Sequence, residues 1–291
     1  MINIDVVCPI YKNINQIKNL YYSLLQQNGV KICNVVFPLT KCNNKIDYEI
    51  IDFMKDNNIK FFIETETSFS HSLTREKAIK EYCKEKFVVM LSQDVKFFSD
   101  RTISNLVAQM SMNENIAYSY GRQVAKKGSI EQYIKESNYP NHIKITTKEN
   151  LEKEGLGALF SSDAFACYNR EIFIKINGYL GYDVMMNEDQ LFSLNLLENG
   201  YSKIYVPSAM VYHHHYYTLK KLYARYYQAG KFYSEVRLFD KYKKESEGMK
   251  LGKNVLIKAL KHFNIPVLIN FLPNMAARYL GLKKGYKKKG E

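Results

Sequence analysis

The first hundred residues alternate between two spacings of hydrophobic positions. Ile4 to Ile10 is a nearly continuous apolar run, which is typical of a strand buried on both faces of a parallel sheet. From Ile14 to Gln27 the apolar residues recur every three or four positions and predict a helix. The same alternation predicts further strands at 31–39, 60–63 and 87–91 and helices at 46–57 and 73–86. Strands that alternate with helices predict an α/β fold, with right-handed βαβ units on a mostly parallel sheet.

The middle of the chain has a less regular pattern. The stretch at 125–155 is rich in lysine, glutamate, asparagine and glycine and predicts a long mobile loop. A helix is predicted at 185–198, because Asn187 suits the N-cap and the acidic residues after it suit the helix dipole. The remaining predicted elements are helices at 102–112 and just before Gly178, and strands at 116–120 and 203–206.

The chain changes character after residue 216. Apolar and aromatic residues at 219–227 and 255–263 recur at helical spacing, with lysine and arginine interleaved. We therefore expect a sheet domain at 1–216 and a basic helical extension at 217–291. Basic amphipathic helices and the lysine-rich end at 283–289 suit the surface of an anionic membrane. The alternative is a packed helical appendage with a solvated tail.

The positive charge is concentrated in the same region. Of a net charge of +13, the residues from 241 onward supply 13 Lys and Arg against three Asp and Glu. The five cysteines show no CxxC spacing, so we expect buried thiols in a reducing compartment and no zinc or disulfide framework. Met1 to Asp5 does not resemble a signal peptide, and no apolar run reaches about 18 residues. These features predict a cytoplasmic location without a membrane span.

Polar residues follow the predicted strands, and ligands of open α/β sheets bind beyond the carboxyl ends of the strands. The candidates are Pro9, Tyr11 and Asn13 after the first strand, His71 and Arg75 after the third, and Gln93 and Asp94 after the fourth. No GxGxxG follows the first strand and no GxxxxGK[ST] occurs, which argues against a dinucleotide-binding Rossmann domain and a P-loop NTPase.

These residue types suit the transfer of a sugar from a nucleoside diphosphate. The leaving diphosphate needs positive charge, which Arg75 or a cation held by Asp94 with His213 or His215 would supply. The acceptor hydroxyl needs a general base, and Asp189 is the candidate. Ordinary structural roles are the alternative, since an aspartate after a strand is often a turn residue and acids suit a first helical turn.

The order of these segments resembles the inverting GT-A glycosyltransferases of family 2 over about residues 3 to 216. Val6 to Asn13 looks like the family's first strand and nucleotide-contacting turn, and Ser92-Gln93-Asp94 falls at its D-x-D metal motif. Asn187-Glu188-Asp189-Gln190-Leu191 looks like its E-D motif. The resemblance implies a GT-A fold, Mg²⁺ or Mn²⁺, and Asp189 as the catalytic base. It also implies a nucleotide-sugar site formed by Pro9, Tyr11, Asn13, His71, Arg75, Gln93 and Asp94.

The likeness extends to the bacterial rhamnosyltransferases of that family. Their T-Q-D-A segment is similar to Ser92 to Val95, and their F-N-H-G-x-x-R loop is similar to Phe69 to Arg75. The blocks at 161–166 and 211–215 are similar too, and Asp163 and Glu188 are implied to position the sugar or the acceptor. Two departures are Ser92 in place of the first Asp of D-x-D and Pro38-Leu39-Thr40-Lys41 in place of an Asp-rich turn.

This likeness implies the transfer of L-rhamnose from dTDP-β-L-rhamnose to a lipid-linked glycan at the inner membrane surface. Two alternatives stay open. One is a family 2 transferase that uses a UDP-hexose or a UDP-N-acetylhexosamine. The other is a non-catalytic basic protein that binds lipid or RNA, although no RRM or KH signature occurs and nucleic acid is not an expected partner.

Overall fold

The computed structural model describes residues 1–242 and 247–287. Its strands are β1 (Ile2–Val7), β2 (Ile10–Tyr11), β3 (Val30–Val36), β4 (Leu39–Lys41), β5 (Ile63–Thr65), β6 (Phe87–Leu91), β7 (Lys96–Phe97), β8 (Ile116–Val124), β9 (Lys144–Thr146), β10 (Phe165–Asn169) and β11 (Ser202–Tyr212). Its α-helices are α1 (Ile14–Leu25), α2 (Lys45–Asp56), α3 (His71–Lys77), α4 (Thr102–Ser111), α5 (Ile130–Asn138), α6 (Lys148–Glu154), α7 (Arg170–Lys175), α8 (Glu188–Glu198), α9 (Leu219–Glu235), α10 (Glu247–Lys261) and α11 (Ile265–Lys287).

The main sheet is mixed and has the strand order β3-β1-β6-β10-β8-β11-β7, with β9 paired to β11. β1 pairs in parallel with β3 and with β6, as the βαβ pattern of the first hundred residues predicts. β10 lies antiparallel between β6 and β8, and β8 and β11 are again parallel. The run that forms β10 was not among the predicted strands, and its antiparallel insertion makes the sheet less uniform than expected.

A second, smaller sheet of β2, β4 and β5 continues the chain beyond the carboxyl ends of β1 and β3. Its three strands are parallel, and Ile10, Leu39 and Ile63 are aligned across it. The small sheet therefore carries Tyr11 and Thr40 to the end of the main sheet where ligands of α/β folds bind.

Hydrophobic clusters cover both faces of the main sheet. On β6, Val88 and Met90 belong to one cluster, and Val89 and Leu91 belong to the other. All five residues of this strand are buried. This two-sided burial explains why the sequence of β6 is a continuous apolar run and not an alternating one.

The prediction of a mobile loop at 125–155 is wrong, since this stretch forms α5, β9 and α6. Ser129 caps α5 by accepting a hydrogen bond from the backbone N–H of Gln132. Tyr133 and Ile134 of α5 are buried in a small cluster with Val255 of α10. The apolar partners that stabilise α5 are therefore more than a hundred residues away in the sequence, where a local pattern cannot reveal them.

Two predicted helix starts also need correction. α8 begins at Glu188, and Asn187 before it has a left-handed backbone with φ of 60° and makes no side-chain cap hydrogen bond. Asparagine tolerates this conformation better than most residues do. The helix predicted at 73–86 starts earlier, at His71, because Ser70 caps it, and a π-helical turn at Ala78–Tyr82 ends it.

α9 and α11 approach each other closely along a row of glycines. A Cβ atom on Gly230 would lie 2.1 Å from the carbonyl oxygen of Leu282, and one on Gly285 would lie 2.0 Å from that of Tyr227. Only glycine permits such backbone contact. Across the two described ranges, none of the helices combines the length and the apolar character that crossing a membrane requires. Lys288 and Lys289 of the predicted lysine-rich end lie outside the described residues.

Candidate active site

A cavity of about 460 Å³ opens at the carboxyl ends of β1, β5 and β6. It is lined by Pro9, Ile10, Tyr11, Thr40, Glu66, Phe69, His71, Arg75, Leu91, Ser92, Gln93 and Asp94. Six of the seven residues predicted for nucleotide-sugar binding are in this lining. The exception is Asn13, whose side chain caps α1 by accepting a hydrogen bond from the N–H of Gln16.

Gln93 ties the turn after β1 to the turn after β6. The backbone N–H of Tyr11 donates to Gln93 Oε1 at 2.7 Å, and Gln93 Nε2 donates to the carbonyl oxygen of Tyr11 at 3.0 Å. Lys12 next to it has a left-handed backbone with φ of 58°. Two backbone hydrogen bonds from one amide fix the position of the cavity wall, so Gln93 has a structural task here besides any contact with a ligand.

Glu66 is a cavity residue that the sequence did not single out. Its carboxylate accepts a hydrogen bond from the hydroxyl of Tyr11 and pairs with Lys12. The Tyr11 hydrogen bond, followed by those from Cys42 and Lys12, holds the pKa of Glu66 below its ordinary value. Glu66 and Tyr11 are 55 residues apart in the sequence. Their contact depends on the small sheet, which no local motif predicts.

Asp94, His213 and His215 form a group of side chains suited to hold a cation. His213 Nε2 lies 3.4 Å from Asp94 Oδ1, and His215 Nδ1 lies 3.6 Å from Asp94 Oδ2. One possible ligand atom from each of the three residues lies within 4.8 Å of the others. The structure thus brings together the three residues that the sequence suggested as metal ligands. His214 lies apart from this group and accepts a hydrogen bond from the N–H of Lys126.

The protonation of the two imidazoles suits metal binding. Burial lowers the pKa of His213 and lowers that of His215 to about 4, so both rings are neutral near pH 7. Burial acts to raise the pKa of Asp94, but the neighbouring imidazoles of His213 and His215 outweigh it, so this pKa lies below its ordinary value. Neutral imidazole and ionised carboxylate are the ligand forms that a divalent cation requires.

Gln123 and Lys135 orient His213 from the side away from Asp94. Lys135 donates to Gln123 Oε1 at 3.0 Å, which identifies that atom as the amide oxygen because an ammonium can only donate. Gln123 Oε1 lies 2.8 Å from His213 Nδ1. The Nδ1 atom therefore carries the ring proton, and the Nε2 atom keeps its lone pair for the Asp94 side.

Arg75 lies at the bottom of the cavity in a group of buried charges. Its Nη1 donates to Glu188, and its Nε lies 3.8 Å from Asp163 Oδ2. His71 Nδ1 lies 2.8 Å from the same Nη1, and burial lowers the pKa of His71 to about 3, which leaves its ring neutral. The charge of Arg75 thus faces two carboxylates, so the guanidinium is less available to a phosphate than the sequence suggested.

Asp163 is a buried acceptor, although the sequence placed it among residues that position the sugar or acceptor. The hydroxyls of Tyr118, Tyr168 and Tyr179 donate to it at 2.9, 2.6 and 3.3 Å. Burial raises the pKa of Asp163 to about 6 despite the nearby charge of Arg75. Like Glu188, Asp163 is absent from the lining of the large cavity and contacts it through Arg75.

Asp189 lies in the first turn of α8, beside Glu188. Burial, together with the charges of Glu188 and Asp163, raises the pKa of Asp189 well above its ordinary value. A carboxylate with a raised pKa is a stronger base, which suits a general base that works near neutral pH. Asp189 itself does not line the cavity in this conformation.

A buried lysine supports the chain around Asp189. Lys203 Nζ donates to the carbonyl oxygen of Phe160 at 2.8 Å and to Ser193 Oγ at 3.2 Å. Ser161 links this group to α8, because its hydroxyl lies 2.9 Å from Ser193 Oγ and donates to the carbonyl oxygen of Asp189 at 3.1 Å. Burial lowers the pKa of Lys203 well below its ordinary value. A single lysine in an apolar strand gave no signal of this role in the sequence.

The described chain is similar in structure to proteins that bind nucleotide sugars. One is a mannosyltransferase from Pyrobaculum calidifontis in complex with GDP-Man and Mn²⁺, with a TM-score of 0.60 at 13% identity over 98% of this chain and 87% of that one. Another is TarS of S. aureus in complex with UDP-GlcNAc, with a TM-score of 0.58 at 14% identity over 98% of this chain and 81% of that one. This is the fold of a glycosyltransferase.

A third structure with the glycosyltransferase fold is GalNAc-T7 with UDP, GalNAc and Mn²⁺. Its TM-score is 0.58 at 14% identity, over 92% of this chain and 57% of that one. Two of these three proteins hold Mn²⁺. Identities this low show the common fold alone, and they confirm the mixed α/β sheet of GT-A type that the sequence predicted.

The sequence is similar to two rhamnosyltransferases. The O-antigen chain rhamnosyltransferase RfbN of Salmonella typhimurium is 29% identical over 179 residues, and WbaN of Salmonella anatum is 27% identical over 180 residues. Each match covers 61% of this chain and 56% of the relative, so the chain matches little more than half the length of either protein. No protein-family model matches the chain. These relatives confirm the resemblance to bacterial rhamnosyltransferases.

Proposed function

We propose that this chain is an inverting glycosyltransferase that transfers L-rhamnose from dTDP-β-L-rhamnose to a hydroxyl of a lipid-linked glycan. The observation that carries the proposal is the cluster of Asp94, His213 and His215 beside a cavity at the carboxyl ends of parallel strands. In the glycosyltransferase fold, this arrangement gives a nucleotide diphosphate a pocket and a cation site next to each other.

The donor occupies the large cavity in this proposal. The turn at Pro9 to Tyr11 and the residues Thr40 and Glu66 form the wall that receives the nucleoside. Asp94, His213 and His215 would hold the divalent cation, which supplies positive charge to the leaving diphosphate when it is bound. Two nitrogen ligands and one carboxylate favour Mn²⁺ over Mg²⁺, because Mg²⁺ prefers a shell of oxygen ligands.

Asp189 is the proposed general base. The hydroxyl oxygen of the acceptor forms a bond to the anomeric carbon, the bond from that carbon to the diphosphate breaks, and dTDP leaves with the bonding electrons. The hydroxyl proton passes to the carboxylate of Asp189. The raised pKa of Asp189 supports this role, and attack opposite the leaving group inverts the anomeric centre.

The donor and acceptor are proposed from the relatives. RfbN and WbaN are named as O-antigen chain rhamnosyltransferases, which supports rhamnose as the sugar and a polysaccharide precursor as the acceptor. We further propose that this precursor is linked to lipid and that the chain works as a peripheral protein on the anionic inner surface of the membrane. The basic residues after position 241 support that location.

A UDP-hexose or UDP-N-acetylhexosamine is the second candidate donor. The observation in its favour is that TarS and GalNAc-T7, which have similar folds, are described with UDP-GlcNAc and with UDP and GalNAc. Thr40 stands at the cavity wall where the family commonly has an acidic turn, so the base contacts are not those of the usual pattern. The choice of sugar rests on few such contacts.

A donor screen tests the proposal. Purified protein is titrated by calorimetry with dTDP-rhamnose, UDP-glucose, UDP-GlcNAc and GDP-mannose, and release of nucleoside diphosphate is followed with Mn²⁺, with Mg²⁺ and with EDTA. We expect preferential binding and cleavage of dTDP-rhamnose, stimulated by Mn²⁺. If no donor binds and the protein instead binds oligonucleotides with a steep salt dependence, it is a nucleic-acid-binding protein and the proposal fails.

A further inference from the structure

Large apolar side chains are exposed to solvent at the turn between α10 and α11 and on the helical residues that flank it. Phe263 is 85% exposed, Leu272 is 74% exposed and Ile269 is 71% exposed. Leu260 and Ile265 beside them are also more than half exposed. Single exposed apolar residues are common, but a contiguous group of this size on a soluble surface marks an interaction site.

Three of these side chains, Ile265, Ile269 and Leu272, belong to one face of α11. Ile265, Ile269, Leu272, Leu280, Lys283 and Lys287 are all exposed and follow one another at intervals of three, four or eight residues. That spacing places them on a single helical stripe. The opposite stripe, which includes Asn274, Arg278, Gly281 and Gly285, is buried against the rest of the chain. We call the six exposed residues the docking face.

The charge of α10 and α11 indicates what kind of partner the docking face fits. No Asp or Glu occurs from Gly248 to Gly290, whereas Lys253, Lys261, Lys283, Lys284 and Lys287 are exposed in the two helices. The docking face is thus apolar along its first four turns and basic along its last. A helix that lies in a membrane interface combines these two properties, with its apolar side among the acyl chains and its lysines at anionic headgroups.

We propose that the docking face binds an anionic lipid bilayer, with Phe263 and the first turns of α11 inserted and Lys283 and Lys287 at the headgroups. The inference deepens the membrane location included in the proposed function by naming the surface responsible. From Ile265 to Leu280, α11 is about 22 Å long, so it suits a helix that lies flat in the interface.

The helices of the docking face are joined to the candidate site through α5. Val255, Ala259 and Val267 pack on α5 around Tyr133 and Ile134. Arg278 of α11 also pairs with Glu131 of α5. Lys135 of α5 donates to the carbonyl oxygen of His213, one of the proposed metal ligands. A bilayer bound at the docking face therefore lies on the α5 side of the site, and an acceptor anchored in that bilayer approaches from there.

Co-sedimentation of the full chain with vesicles tests the inference without any donor or sugar. Wild type is mixed with vesicles of phosphatidylcholine alone or with 30 mol% phosphatidylglycerol. We expect wild type to bind the anionic vesicles and Ile269→Asp/Leu272→Asp to bind them with at least about tenfold lower affinity. We expect a comparable loss of affinity in Lys283→Glu/Lys287→Glu, since each lysine near the surface contributes about fivefold in affinity. The matched control is Met112→Asp, which changes an exposed apolar residue of the sheet domain.

Circular dichroism and cleavage of the donor without lipid show that each variant is folded. Undiminished vesicle binding by Ile269→Asp/Leu272→Asp, or equal binding to neutral vesicles, overturns the inference. Light scattering without lipid tests whether the docking face instead binds a second copy of the chain. The face is assigned to self-association if wild type is a dimer, Ile269→Asp/Leu272→Asp is a monomer, and neither binds vesicles. Vesicle binding can succeed while donor cleavage fails, or the reverse, so the two proposals are tested separately.

Discussion

His213 Nε2 lies 3.4 Å from Asp94 Oδ1, although the two residues are far apart in the sequence and follow different strands. Asp94 lies between β6 and β7, and His213 directly follows β11. β7 pairs with β11, with Lys96 opposite Tyr212. This pairing brings the two side chains together, with His215 beside them, and their proximity is the geometry on which the proposed metal site rests.

Replacing a ligand of this cluster should remove metal-dependent activity. We expect His213→Ala to lower turnover at least about 100-fold and to abolish stimulation by Mn²⁺, because it removes a nitrogen that would hold the cation. His214→Ala is the matched control, since His214 lies outside the cluster and should change turnover little. The measurement is release of nucleoside diphosphate against Mn²⁺ concentration. Equal losses in both variants would contradict the assignment.

Asp189 should be needed for turnover but not for donor binding. We expect Asp189→Asn to lower turnover by about 10²–10⁴-fold, which is the usual contribution of a general base, and to leave the Kd for the donor within about twofold. Asp183→Asn provides a control, because Asp183 is exposed in the segment before α8. Single-turnover kinetics and calorimetry measure the two quantities. Normal turnover by Asp189→Asn would require a different base.

The buried charges around Arg75 should matter chiefly for stability. Arg75→Met leaves Glu188 and Asp163 buried without their cation, and we expect it to lower the free energy of unfolding by about 3–5 kcal/mol. Arg101→Met, which changes an exposed arginine at the start of α4, should change it by less than about 0.5 kcal/mol. Urea denaturation measures both. A loss of activity at unchanged stability would instead indicate that Arg75 contacts the donor directly.

Local patterns predicted those parts of the fold whose partners are close in the sequence. The strand at 87–91 and the helices starting at Ile14 and Thr102 agree with the structure, because a continuous apolar run or a helical stripe is itself the signal for each. α5 and β10 were missed because their burial depends on strands and helices far along the chain. The same is true of the candidate site. Strand ends pointed to Asp94 and Arg75, whereas Glu66 and Lys203 acquire their roles only from tertiary contacts.

Lys203 should make the free energy of unfolding depend on pH above neutrality. Burial lowers its pKa in the folded chain, so between that pKa and about 10.4 the unfolded chain binds more protons than the folded chain does. The contribution of Lys203 to stability is therefore unfavourable at pH 7 and should improve as pH rises, by at most about 1.4 kcal/mol per pH unit. We expect the free energy of unfolding of wild type, minus that of Lys203→Met, to increase from pH 7 to pH 9.5. A constant or falling difference would contradict a lowered pKa.

The glycine row between α9 and α11 should be intolerant of even one methyl group. Gly285→Ala places a Cβ atom about 2.0 Å from the carbonyl oxygen of Tyr227, so α11 must move away from α9, and we expect a loss of about 1–3 kcal/mol in the free energy of unfolding. Gly252→Ala in α10 is the matched control. The nearest atom to its Cβ is 4.0 Å away, in the ring of Phe271, so the better helix propensity of alanine should leave stability unchanged or raise it by up to about 1 kcal/mol. Chemical denaturation of the two variants measures the contrast. Because α11 carries the docking face, Gly285→Ala should also weaken binding to anionic vesicles, whereas Gly252→Ala should not. A Gly285→Ala protein with full stability and full vesicle binding would show that α9 does not hold α11 in place.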